Sequence, residues 1–174
     1  MKILLIYSTT DGHTIKICER IKSVVETKGH QLDIAPLSDA NAETMAGFDR
    51  VIIGASIRYG KHQPAVYEFI GKYQQVLEQK DGGFFSVCLV ARKPNKNTPE
   101  TNPYFKKFLK RITWRPKHMA VFAGKINYPI YKWNDRLMIR FIMLITSGPT
   151  DPSTVKVFTD WDRVETFAKS ICSQ

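Results

Sequence analysis

Five short apolar runs, each followed by a stretch of helical period, restrict what this chain can fold into more than any other feature of its sequence. The runs Ile3–Tyr7, Leu32–Ala35, Val51–Ile53, Phe84–Val90 and Met119–Ala123 are nearly continuous in apolar residues. Strands of that kind are buried on both faces, which is the condition of a parallel sheet covered by helices. The intervening periods supply the helices. Ile17, Ile21, Val24 and Val25 mark one face of a first helix closed by Lys28-Gly29, and Pro64–Leu77 turns Val66, Phe69, Ile70, Tyr73 and Leu77 inward. Thr101–Ile112 predicts a third, basic helix carrying Lys106, Lys107, Lys110 and Arg111. Asp160 is placed to cap a last helix that buries Trp161, Val164, Phe167 and Ile171. The expectation is an α/β, doubly wound fold.

With 174 residues, 43% of them hydrophobic, the chain suits one domain over 1–174 with a sizeable core. Met1–Tyr7 is too short for a secretory apolar core and reads as the first strand. Cys18, Cys88 and Cys172 are odd in number and widely spaced, as reduced core thiols of a cytoplasmic protein would be. The net charge of +10 calls for an anionic partner without choosing among nucleic acid, a lipid surface and a small molecule.

In a parallel sheet, ligands bind beyond the carboxyl ends of the strands, so the loops there matter most. After the first strand come Ser8, Thr9, Thr10, Asp11, Gly12, His13 and Thr14, leading directly into a helix. Hydroxyls and free backbone N–H groups at a helix start can surround a phosphate without any Lys or Arg. The plainer reading is a turn in which Thr or Asp caps the helix. Neither Gly-x-Gly-x-x-Gly nor Gly-Lys-Ser/Thr occurs, which argues against a dinucleotide fingerprint and a nucleotide P-loop. The third strand ends in Gly54-Ala55-Ser56-Ile57-Arg58-Tyr59-Gly60, where small residues admit a close approach and Tyr59 offers a flat partner to an aromatic ring. The fourth delivers Leu89, Val90, Ala91, Arg92 and Lys93, whose two cations either neutralise a ligand or are merely solvated.

Residues 125–152 interrupt the passage from fifth strand to last helix. Aromatic and basic residues at Tyr128–Trp133 precede Leu137–Ile145, with Asn134 or Asp135 as the expected cap. This helix falls short of the ~20 residues that span a bilayer. It suits an interfacial element meeting lipid or an apolar substrate; core and dimer-interface placements stay open, and replacing Ile139 and Ile142 by Ser distinguishes them. Basic residues near an anionic leaflet each add ~1 kcal/mol. Lys106–Lys117 lacks a base-reading module, so no nucleic acid is expected. The four histidines show no paired spacing, so no metal is expected either.

These residues resemble flavodoxins and, more closely, the bacterial menaquinone-dependent protoporphyrinogen oxidases. The resemblance runs through Gly54–Gly60, Val90–Pro94, Trp114-Arg115-Pro116, Tyr128-Pro129, Trp133, Asp135-Arg136 and Thr159-Asp160-Trp161. It implies a flavodoxin-like five-stranded sheet of order 2-1-3-4-5, with 125–152 as an insertion after the fifth strand. It implies FMN as cofactor, its phosphate held by Ser8–Thr14 and its ring flanked by Ala55–Gly60 and Leu89–Lys93. The implied reaction takes protoporphyrinogen IX to protoporphyrin IX and passes electrons to menaquinone or another membrane quinone in haem synthesis. The implied location is cytoplasmic, on the inner face of the membrane in peripheral contact with anionic lipid. Six hydrogens leave the porphyrinogen, so successive two-electron rounds are required. On this reading Thr10 and Thr14 donate to the phosphate, while Arg58, Arg92 and Lys93 raise the flavin potential. A one-electron flavodoxin-type carrier and a nicotinamide-dependent quinone reductase remain alternatives.

Overall fold

All five apolar runs become strands of one sheet. The computed structural model describes residues 1–173 and contains β1 (Lys2–Ser8), β2 (Gln31–Pro36), β3 (Arg50–Arg58), β4 (Lys61–His62), β5 (Gly83–Cys88) and β6 (His118–Ala123). The order is β2-β1-β3-β5-β6, every neighbouring pair parallel, with β4 paired antiparallel to β3. With the two-residue β4 set aside, this is the expected 2-1-3-4-5 arrangement.

Alternation along β1 distributes its side chains between two cores. Ile3 and Leu5 join Ile17, Ile21 and Val25 of α1 (His13–Thr27) on one face, together with Val164 and Phe167 of α7, described below. Leu4 and Ile6 join the opposite core. That core is covered by α2 (Ala42–Ala46), α3 (Pro64–Lys72), α4 (Gln74–Gln79) and α5 (Pro103–Arg111). Each aliphatic side chain so buried contributes about 1.5–3 kcal/mol relative to exposure. Gly54 faces Phe85 across the β3–β5 register, and a Cβ at this position would run into the Phe85 ring. Only glycine lets the ring lie across the strand.

Past β6 the chain leaves the sheet. β7 (Lys125–Asn127) pairs antiparallel with β8 (Val155–Val157), and between them lie a 3-10 turn at Tyr128–Ile130 and α6 (Trp133–Ile145). Ile126, Tyr128, Tyr131, Ile139 and Met143 form a third core under α6. The chain then enters α7 (Trp161–Ser170), whose first turn is capped by the Asp160 carboxylate accepting from the Arg163 N–H at 3.2 Å.

Several expectations need correction. The fourth run ends as a strand at Cys88, and Leu89–Arg92 turns into 3-10 geometry. The helix expected over Pro64–Leu77 divides at Tyr73, whose φ of −110° leaves helical geometry. Neither Asn134 nor Asp135 caps α6; Lys132 holds the cap position and the Asp135 carboxylate is engaged elsewhere. Trp161 stays exposed in the first turn of α7, its ring edge-on to His13, and Cys172 is only half-buried.

Candidate active site

Parallel strands bring their carboxyl ends to one edge, so the loops after β1, β3, β5 and β6 meet there with α6 and the start of α5. Between them lies a cavity of about 820 Å³.

The β1 loop forms one end. Gly12, at φ 78°, occupies the cap position of α1 without offering a side chain, and its N–H donates to Thr9 Oγ1 at 3.1 Å. The Thr14 hydroxyl is buried and has no hydrogen-bond partner. A buried hydroxyl without a partner costs about 1–3 kcal/mol, and here it sits in a helix turn whose own donors lack a side-chain cap. Thr9, Thr10, Asp11, His13 and Thr14 line the cavity, whereas the Ser8 hydroxyl turns away to donate to Gln63 Oε1 at 3.1 Å. Thr159 donates its only hydroxyl proton to the Ala123 carbonyl at 2.7 Å, so at its 2.7 Å contact with His13 it accepts from Nε2–H. The His13 Nδ1 is therefore the acceptor position of the ring. Burial, then repulsion from Lys125 and Lys16, lowers the His13 pKa and keeps the ring neutral at pH 7.

The β3–β4 turn forms the middle. Ser56, Ile57, Arg58, Tyr59 and Gly60 reach the cavity, while Ala55 is fully buried in the sheet. Tyr59 has a positive φ of 52°, costly for a bulky residue, and is half-exposed. Its hydroxyl donates to the Asp135 carboxylate, which raises the Tyr59 pKa. Arg58 pairs with Asp11 at 2.5 Å and with Asp135 at 3.2 Å, and its guanidinium lies 5.5 Å from the Tyr131 ring centroid. One arginine thus joins the β1 loop to α6.

After β5, Leu89, Val90 and Arg92 line the cavity, Ala91 packs into the core and Lys93 is not on the wall. Arg92 donates to Leu89 O at 3.1 Å, Thr146 O at 2.9 Å and Thr146 Oγ1 at 2.8 Å, closing the carboxyl end of α6. Desolvation lowers its pKa. The free positive charge expected beside a ring at Arg58, Arg92 and Lys93 is therefore compensated at Arg58, tied to carbonyls at Arg92 and displaced at Lys93.

The sequence left the Leu137–Ile145 helix open to lipid, an apolar substrate or the core, and none of its residues was among the expected site residues. Met138, Ile139, Ile142, Met143, Ile145 and Thr146 present an apolar stripe, with Ile130 and Tyr131 beside them, and α5 adds Pro103, Tyr104 and Lys107. The signal was available: positions 139, 142, 143 and 146 repeat at one helical face. Gly60 would meet the Tyr104 ring with any Cβ, so the β3–β4 turn rests on α5 on one side and holds α6 through Asp135 on the other.

The flavodoxin domain matches residues 4–153, a span that includes every loop just described and α6. The chain belongs to the flavodoxin family. Membership implies that the group held at this edge is a flavin. Among flavodoxin-family relatives, the protoporphyrinogen IX dehydrogenase (quinone) of Escherichia coli strain K12 is 44% identical over 171 residues, covering 98% of this chain and 94% of that protein. The protein of the same name from Leishmania major is 40% identical over 173 residues, covering 99% and 75%. By name both are oxidoreductases. Oxidised flavodoxin 1 from Bacillus cereus superposes with a TM-score of 0.59 at 14% identity, covering 97% of this chain and 95% of that one, a likeness of fold. The β1 loop fits a flavin phosphate: an uncapped helix start and an orphaned buried hydroxyl both lack the acceptor that an anion supplies.

Proposed function

We propose that this flavodoxin-family chain is an FMN-dependent oxidoreductase that converts protoporphyrinogen IX to protoporphyrin IX and passes the electrons to a quinone such as menaquinone, working as one unit on the cytoplasmic face of a membrane. The observation that carries this reading is the match of 98–99% of this chain to two enzymes of that name, which runs through α6 as well as the β1 loop. FMN supplies two-electron acceptance and return. Thr14, with the backbone donors of the first turn of α1, binds the phosphate; Ser56–Gly60 and Leu89–Val90 border the ring. The apolar stripe of α6 keeps water from the reacting face.

The outer face of α6 supports work at a membrane. Trp133, Phe141 and Leu144 are 76%, 60% and 68% exposed, Leu137 is exposed beside them, and none of the four lines the cavity. No helix among the described residues is long and apolar enough to cross a bilayer. Ile139 is buried and Ile142 half-buried, both on the cavity side, so the residues offered to lipid are their neighbours. The test is anaerobic mixing of the FMN-loaded protein with protoporphyrinogen IX, then with a menaquinone analogue. Bleaching of the flavin absorbance by the first and recovery with the second is expected. A flavin that stays oxidised with porphyrinogen but bleaches with a reduced nicotinamide overturns the reading.

A further inference from the structure

Five charged side chains line the cavity, Asp11, Arg58, Arg92, Lys107 and Lys125. Asp11 and Arg58 pair with each other, and Arg92 is bound to carbonyl oxygens of Leu89 and Thr146. Among the described residues, Lys107 and Lys125 have no carboxylate within ion-pair distance. These two cations stand at different ends. Lys125 follows β6 and acts electrostatically on His13, at the β1 loop. Lys107 lies one turn beyond Tyr104 on α5, the ring on which Gly60 of the β3–β4 turn rests. One phosphate ester in the β1 loop satisfies the positive charge at the first end. The second end keeps a cation with nothing to neutralise it, next to the apolar stripe of α6.

A lysine beside an apolar wall recognises a ligand with a flat apolar body and an acidic edge, because the ammonium stays at the wet rim while the body is desolvated. We infer that Lys107 anchors a propionate carboxylate of the tetrapyrrole substrate, whose ring lies against Met138, Ile142 and Ile145 of α6. The inference rests on the function proposed above and assigns that substrate its subsite. It separates the two substrates by charge: a quinone has no carboxylate and gains nothing from Lys107. The cavity of about 820 Å³ carries one cation at each of these two ends.

The test uses the full-length FMN-loaded protein with protoporphyrin IX and its dimethyl ester, both in one non-ionic detergent, binding being read from porphyrin fluorescence. Wild type is expected to prefer the diacid. Lys107→Ala weakens diacid binding about threefold to tenfold, the size of a part-exposed charge-assisted pair, and leaves the ester and FMN affinities unchanged. Lys107→Glu weakens the diacid further, and Lys107→Arg keeps the preference. Lys110→Ala, the same charge change on the same helix away from the cavity, leaves both porphyrins unaffected. In turnover, Lys107→Ala raises KM for porphyrinogen and leaves KM for quinone unchanged. Equal wild-type affinity for diacid and ester, or an equal loss in Lys110→Ala, overturns the inference. If neither porphyrin binds while FMN does, the proposed function falls with it; if both bind and turn over without regard to Lys107, only the anchor falls.

Discussion

Replacing Thr14 by Val changes the empty and the flavin-loaded protein in opposite directions. The two side chains have nearly the same shape and similar helix propensity, so the exchange deletes one hydroxyl and little else. In the empty protein that hydroxyl is buried and unpartnered, a burden of about 1–3 kcal/mol. Thr14→Val removes it, and for a domain of this size the melting temperature rises by about 2–4 °C per kcal/mol. In the loaded protein the same hydroxyl donates to a phosphate, a charge-assisted bond of about 1.5–3 kcal/mol, so FMN affinity falls about 10- to 150-fold. At fixed excess FMN the linked stabilisation shrinks by the logarithm of that ratio. The gap in melting temperature between empty and loaded protein therefore closes from both sides. Thermal denaturation with and without FMN, alongside calorimetric titration, measures both terms. Riboflavin, which lacks the phosphate, is the control and binds wild type and variant alike. A variant that melts below wild type when empty, or binds FMN as tightly, refutes the placement of the phosphate.

The pair Phe141→Ser and Leu144→Ser is expected to retain FMN and melting temperature, because both side chains are exposed, and to lose liposome binding at least tenfold; undiminished flotation with anionic vesicles counts against lipid contact. Burial pushes the His62 imidazole down to about 3 from an unfolded value of 6.5, so the unfolded chain binds a proton that the folded chain refuses. The stability this group supports is present above pH 6.5 and is lost as pH falls toward 3, by up to about 1.4 kcal/mol per unit, and His62→Gln flattens the profile; parallel urea midpoints across that range contradict it. Gly54→Ala forces a Cβ into the Phe85 ring and costs about 1–3 kcal/mol, relieved when Phe85→Leu is added; an unchanged urea midpoint in the single variant contradicts that packing.

The sheet was legible because strands buried on both faces leave no polar period to confuse, and β1, β2, β3, β5 and β6 each contain or overlap one of the apolar runs. Phe84–Val90 overran because Leu89 and Val90 are as apolar as the strand before them; what ends β5 is the turn that brings Leu89 and Val90 onto the cavity wall, a tertiary event. In the β1 loop the hydroxyls and glycine before a helix suit a phosphate or an ordinary cap alike, and the buried Thr14 hydroxyl without a partner is what favours the phosphate. Arg58 and Arg92 were visible as cations, but their partners Asp11, Asp135 and Thr146 lie 47 to 77 residues away, and no local pattern reveals a contact of that span. α6 was read by composition, which is apolar on every side. Only packing shows that Ile139 and Met143 face inward while Phe141 and Leu144 do not. The two-residue β4 and the β7–β8 pair are too short for any period to register.

A helix fixed at one end is a flap; α6 is fixed at both. Asp135 in its first turn is held by Arg58 and Tyr59, and Thr146 at its last is held by Arg92, both arginines rooted in loops of the sheet. Swinging it open breaks one anchorage or the other while Ile139 and Met143 leave their core. Exchange of reactants through the cavity accordingly proceeds without α6 lifting. On the proposed function, a catalyst that takes three pairs of electrons from one macrocycle gains from this anchorage: the residence of the macrocycle is set by how firmly it is gripped, not by when a helix lifts.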